Sequence, residues 1–116
     1  MSIIMIFISK YLVPRGYVGM TLYPFVFLKT EQLKTNKVLI NHEKIHLRQQ
    51  LELFVIPFYL FYVIEFLIRL IIYRHWNKAY RNISFERESY VNEMNLQYLK
   101  NRKIWAFLKY LRGYDI

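Results

Sequence analysis

The chain has no cysteine, only three glycines, three prolines and three histidines, and eight acidic residues against seventeen lysines and arginines. Without cysteine there is no disulfide framework and no thiolate metal site, so any bound metal must rest on imidazole and carboxylate. Four of the six glycines and prolines (Pro14, Gly16, Gly19 and Pro24) fall in one short stretch. They break the aromatic and β-branched run 11–29 into two short strands rather than a helix. The N-terminal run 1–8 is apolar but has no basic leader and no small-residue cleavage site, and it is too short to cross a bilayer. It reads as a first strand or short helix. No repeat, low-complexity tract, helix-turn-helix, zinc finger or RNA-binding signature accompanies the positive charge, so nucleic acid is not an expected partner.

What is present is apolar, aromatic and basic together. Of 116 residues, 55% are hydrophobic, with eleven Tyr and nine Phe, and the formal net charge is +9. That length suits one domain with a single core, 1–116, small for an enzyme. The composition suits a protein that sits in or on an anionic membrane, and the charge together with the missing leader points to the cytoplasmic face.

Two of the three histidines fall in His42-Glu43-Lys44-Ile45-His46, an H-E-x-x-H pentapeptide. Residues four apart share a helix face, so both imidazoles can address one ion, while Glu43 sits one residue round. That is the division of labour zinc hydrolysis needs: two neutral imidazoles hold Zn²⁺, and a carboxylate takes a proton from the water it activates. Thr35 or Asn36 can cap the start of this helix. An apolar stretch follows, interrupted by Glu65 and Arg69, which are four apart and can pair. A straight helix to Tyr73 would carry the chain roughly 40 Å from the histidines. Pro57 offers a break instead, giving helices over about 38–55 and 58–74 as an antiparallel apolar hairpin within 47–75. The hairpin either dips into one leaflet or packs inside the protein, and a single crossing is excluded if both metal motifs meet.

A third ligand is needed. Glu52 on a continuing helix lies about 9 Å along the axis from His46, too far. His75, beside Trp76, reads as an interfacial residue. The segment Ser84-Phe85-Glu86-Arg87-Glu88-Ser89-Tyr90, with Ser84 as N-cap, places Glu86, Tyr90 and Glu93 along one helix face. On these residues the chain resembles the gluzincin branch of the zincins. There H-E-x-x-H is followed on a second helix by a Glu ligand, often as Glu-x-x-Ala-Asp; here Ser89 stands for the Ala and Tyr90 for the Asp. The chain is also similar to membrane-embedded HtpX-like and BlaR-type peptidases, and over residues 20–112 to a group of short bacterial proteins. The resemblance implies a zinc metallopeptidase with His42, His46 and Glu86 on the metal, Glu43 as general base and a peptide or protein substrate. Glu88 remains a rival ligand, and Tyr90 is a candidate donor to the oxyanion.

The last stretch, 96–112, alternates apolar and basic residues at helical spacing, as a basic amphipathic helix would, on a membrane or over the core. The expected fold is mainly α (α+β), with a short β-hairpin or strand element before the active-site helix. Such a strand could pair with an extended substrate or simply cover the core. The alternative function is a non-catalytic membrane-associated scaffold with a structural or vestigial metal site.

Overall fold

In the computed structural model, which describes residues 5–112, the glycine- and proline-bearing first quarter forms strands and the remainder forms helices. The strands are β1 (Met5–Ile8), β2 (Gly19–Leu22) and β3 (Phe25–Leu28). β2 and β3 make an antiparallel hairpin turned at Tyr23-Pro24, with Thr21 opposite Val26. β1 adds to the other side of β3 in parallel, Ile6 opposite Val26, so the order is β1-β3-β2 and β2 is an edge. This is the β element expected before the active-site helix. Residues 1–4 of the expected first strand lie outside the described part.

A 3-10 helix over Glu31–Thr35 leads into α1 (Lys37–Leu53). Asn36 caps α1, its Oδ1 accepting from the Leu39 N–H at 3.0 Å. The buried side of α1 is mostly polar: Asn41, His42, Glu43, His46, Gln49 and Gln50 all lie inside. Burying that many polar groups is costly unless each is bonded, so the helix is built around a site rather than an oily core.

α2 (Val55–Tyr73) begins one residue later, and here the structure corrects the sequence reading. The chain breaks at Phe54, which has φ 60°, and not at Pro57. Pro57 is the third residue of α2, where a backbone N–H has no intrahelical acceptor to lose. The first α2 bond runs from the Phe58 N–H to the Phe54 carbonyl, 3.0 Å, immediately past the proline. α2 then passes back along the site, with the Tyr59 hydroxyl 3.3 Å from Gln50 and the Tyr62 hydroxyl reaching Glu86. Only Phe58 of α2 is buried, so α2 is not a core helix of this chain.

Arg74, in left-handed conformation, ends α2, and His75 caps α3 (Trp76–Arg81) by accepting from the Lys78 N–H. α4 (Ser84–Asn92) follows. Ser84 is its first residue rather than its cap: its N–H and hydroxyl both donate to the Glu65 carboxylate at 2.6 Å. Glu65 thus places negative charge at the α4 N-terminus, where the helix dipole favours it. The core is two clusters, Phe58-Ile83-Phe85-Phe107 between α2 and α4, and Val26-Leu28-Leu47 between the sheet and α1.

The expected amphipathic helix 96–112 does not form. The segment has one helical turn, α5 (Tyr98–Asn101), and a 3-10 helix over Ala106–Tyr110, separated by an extended Arg102 and a left-handed Trp105. The cause is tertiary. The Arg102 guanidinium is drawn inside to pair with both Glu88 and Glu52, and the Trp105 N–H donates to Glu52 at 3.0 Å. These bonds outweigh a local helical preference worth only tenths of a kcal/mol per residue.

Candidate metal centre

α1 and α4 pack so that three ligand atoms converge. His42 Nε2 and His46 Nε2 lie 3.2 Å apart, and Glu86 Oε1 is 3.2 Å from the first and 3.1 Å from the second. All three side chains are buried. A tetrahedral ion with ligand bonds near 2.05 Å holds its ligand atoms roughly 3.3 Å from one another. The donor set therefore fits a metal ion as it stands. Glu88, the rival, points elsewhere: it takes the Arg102 guanidinium, the Tyr98 hydroxyl at 2.6 Å and the Gln49 amide at 2.9 Å. Glu52 is the other partner of Arg102, and His75 is exposed at the α3 cap.

Each ligand is oriented from behind. His42 Nδ1 lies 2.7 Å from Glu93 Oε1, and His46 Nδ1 lies 2.8 Å from Gln49 Oε1. With an acceptor oxygen at each Nδ1, that nitrogen carries the proton and Nε2 turns its lone pair to the cluster. The Tyr62 hydroxyl donates to Glu86 Oε2 at 2.6 Å, leaving Oε1 for the ion. Glu93 stood on the predicted face with Glu86 and Tyr90, and Gln49 is one turn past His46, so both were within reach of spacing arguments. Nothing local marked Tyr62.

Glu43 lies beside the cluster but outside it. Its Oε1 accepts from the Thr21 hydroxyl of β2 at 2.5 Å. β2 comes this close because residue 19 is glycine: a Cβ there would stand 3.4 Å from Glu43 Oε2 and 3.2 Å from Leu28 Cδ2. A pocket of about 270 Å³ reaches Glu43, His46 and Glu86 from the α2 side, walled by Phe58, Phe66 and Trp76. A second, of about 280 Å³, reaches Glu43 and His42 from the α4 side, walled by Tyr90 and Glu93. Tyr17, Gly19, Glu43 and Tyr80 line both, so Glu43 faces space on either side. Tyr90 packs its ring edge-on to His42, centroids 4.6 Å apart. Its hydroxyl is bonded to that of Tyr80, which lines both pockets.

Without an ion, the charges around the cluster favour protonated imidazoles. Burial would lower the His42 pKa, but hydrogen bonds to the Glu86 and Glu93 carboxylates outweigh it and raise it to about 10. His46 is raised as well, burial again opposing and the Glu86 charge prevailing. Burial would lift the Glu86 carboxyl, yet the adjacent imidazoles hold it far below the usual carboxylate range. A metal must displace these protons, because only the free lone pairs ligate. Between pH 6 and 8 zinc binding should therefore release at least one proton per ion, and affinity should rise about tenfold per pH unit for each proton displaced. Calorimetry in buffers of different ionisation enthalpy measures the release; a pH-independent affinity would contradict the protonated cluster.

No family model, curated protein or solved structure matches the chain. The likeness to gluzincins rests on the two motifs and on a cluster that could hold a metal ion.

Proposed function

We propose that the chain is a zinc-dependent hydrolase of peptide bonds. The observation that carries this reading is the triangle of His42 Nε2, His46 Nε2 and Glu86 Oε1 at 3.1–3.2 Å, with a carboxylate alongside and open space on both sides. Three protein ligands leave a fourth position, the mark of a catalytic rather than a structural zinc site. Zinc bound there would lower the pKa of a water and polarise a carbonyl oxygen.

The chain's own residues do the rest. Thr21 fixes one Glu43 oxygen, leaving Oε2 to accept a proton from the attacking water and return it to the leaving amine. An extended substrate would lie along β2. There Gln50 already bonds the Thr21 carbonyl and the Tyr23 N–H, at 2.9 and 2.6 Å, so pairing would centre on Gly19. The Tyr80–Tyr90 hydroxyl pair would donate to the developing oxyanion, Tyr80 being the member that lines both pockets.

A second reading, a structural metal in a non-catalytic protein, draws on the burial of all three ligands, each 5% exposed or less. The test has two parts. Wild-type protein in zinc-supplemented buffer should carry one ion per chain, while His42→Ala and His46→Ala carry none and Glu86→Gln binds more than 100-fold more weakly, a ligand outweighing its outer partners. The zinc form should then cleave a mixed peptide pool and stop on chelation. Metal-free wild type overturns the hydrolase reading, and stoichiometric zinc without cleavage leaves the structural one.

A further inference from the structure

We propose that α2 lies in the plane of an anionic phospholipid bilayer, seating the protein on one leaflet without crossing it. α2 has mean hydropathy 2.1 over a length able to span a membrane, yet only 6% of it is buried. Ile56, Leu60, Val63, Leu67 and Ile71 recur every three or four residues, and all are at least half exposed. The opposite stripe faces the protein: Tyr62 donates to Glu86, Glu65 accepts from Ser84, and Arg69 donates to the Leu111 carbonyl. Beside the outer stripe the C-terminal segment adds Trp105, Leu108 and Leu111, which with Phe61, Ile64 and Ile68 wall an almost wholly apolar groove of about 500 Å³. An apolar surface this continuous marks a partner.

Charge identifies the partner. No acidic residue occurs between Glu65 and Glu86, nor between Glu93 and Arg112. Those two stretches, which supply α3 and the C-terminal segment, carry Arg69, Arg74, Lys78, Arg81, Lys100, Arg102, Lys103, Lys109 and Arg112. Arg69 pairs with Glu65 and Arg102 is buried against Glu88 and Glu52, which leaves the other seven as an excess of positive charge. Apolar surface edged by such an excess suits acyl chains beneath anionic headgroups, and the exposed Trp76 and Trp105 suit the boundary between them.

The orientation follows from Tyr62. It is the eighth of the nineteen residues of α2 and is bonded to Glu86, so a transmembrane α2 would carry the buried His42-His46-Glu86 cluster to the bilayer centre. Polar groups are costly there. With α2 lying flat, its outer stripe enters about 5–10 Å and the cluster stays outside the hydrocarbon. Phe58 and Phe66 wall the pocket on the α2 side, and the exposed Trp76 packs on Phe66 with centroids 4.7 Å apart. The mouth of that pocket thereby opens at the lipid–water boundary. Its use for substrate delivery rests on the hydrolase reading; the membrane seat does not.

The chain has no cysteine, so single probes are clean. Leu60→Cys, Leu67→Cys and Ile71→Cys would each carry a polarity-sensitive fluorophore, with the exposed Lys37→Cys as control, and be mixed with phosphatidylcholine vesicles with or without phosphatidylserine. The expected result is a blue shift at the three α2 positions only, dependent on phosphatidylserine, with equal quenching depth by brominated lipids. Leu60→Lys/Leu67→Lys should bind the vesicles about tenfold or more weakly at unchanged zinc content. No shift with vesicles, a depth that increases steadily from 60 to 71, or a lipid-free shift with doubled molar mass would each overturn the proposal, the last assigning the face to a second copy. Zinc content and peptide cleavage are read separately, so failure of the hydrolase reading is distinguishable.

Discussion

Glu43→Gln is expected to keep its zinc and to lose about 10² to 10⁴-fold in kcat/KM on any substrate the wild type cleaves. The expectation comes from where the side chain stands. Glu43 contributes no atom to the His42-His46-Glu86 cluster, and its Oε1 is occupied by the Thr21 hydroxyl. Gln has the same shape, and its amide oxygen still accepts from Thr21, so the packing against Gly19 and the position of β2 survive. What is lost is the one carboxylate that lines both pockets and is not itself a ligand. Proton transfer from the attacking water then has no carboxylate to receive it. Zinc analysis together with steady-state kinetics separates the two effects. Wild-type turnover in the zinc-loaded variant would remove Glu43 from the mechanism, and loss of zinc would show that it acts through the metal instead.

The helix carrying His42, Glu43 and His46 was legible because its signals are local: Asn36 before it, and four-residue spacing within it. The face of α4 was legible for the same reason, since Glu86, Tyr90 and Glu93 do turn toward His42. The β-hairpin followed from where Pro14, Gly16, Gly19 and Pro24 cluster, and the mainly helical fold with its small sheet is as expected. The break between α1 and α2 was misplaced by three residues, because Pro57 is a strong local signal while the left-handed Phe54 has none. The C-terminal helix failed for a stronger reason. Its periodicity is real, but Arg102 finds Glu88 and Glu52 across the fold, and no window of sequence contains that pairing. The exposure of α2 was equally hidden, because a run of Leu, Ile and Phe reads alike whether it faces a core or a bilayer.

That buried pairing carries the other large expected effect. Arg102→Ala should destabilise the protein by about 3–5 kcal/mol. The Arg102 and Glu88 side chains are 0% exposed and Glu52 is 7% exposed. Removing the guanidinium leaves two carboxylates inside with only the Tyr98 hydroxyl, the Gln49 amide and the Trp105 N–H to answer them. Against a total stability of about 5–15 kcal/mol for a typical domain, that loss lowers Tm by about 10 °C or more. It should also free the C-terminal segment, because Arg102 and Trp105 are tied to the body of the protein through Glu52 and Glu88. Zinc, by contrast, should remain in the folded fraction, since none of the three ligand atoms touches Arg102. Glu86→Gln should show the reverse pattern, with metal lost and the Tyr62 hydroxyl still bonded to the amide oxygen. Thermal unfolding monitored by circular dichroism, with zinc content measured on the same samples, distinguishes the two. An Arg102→Ala protein as stable as wild type would mean that the buried triad does not hold this segment. One that is stable but zinc-free would mean that Glu88, acting on His46 through Gln49, belongs to the metal site after all.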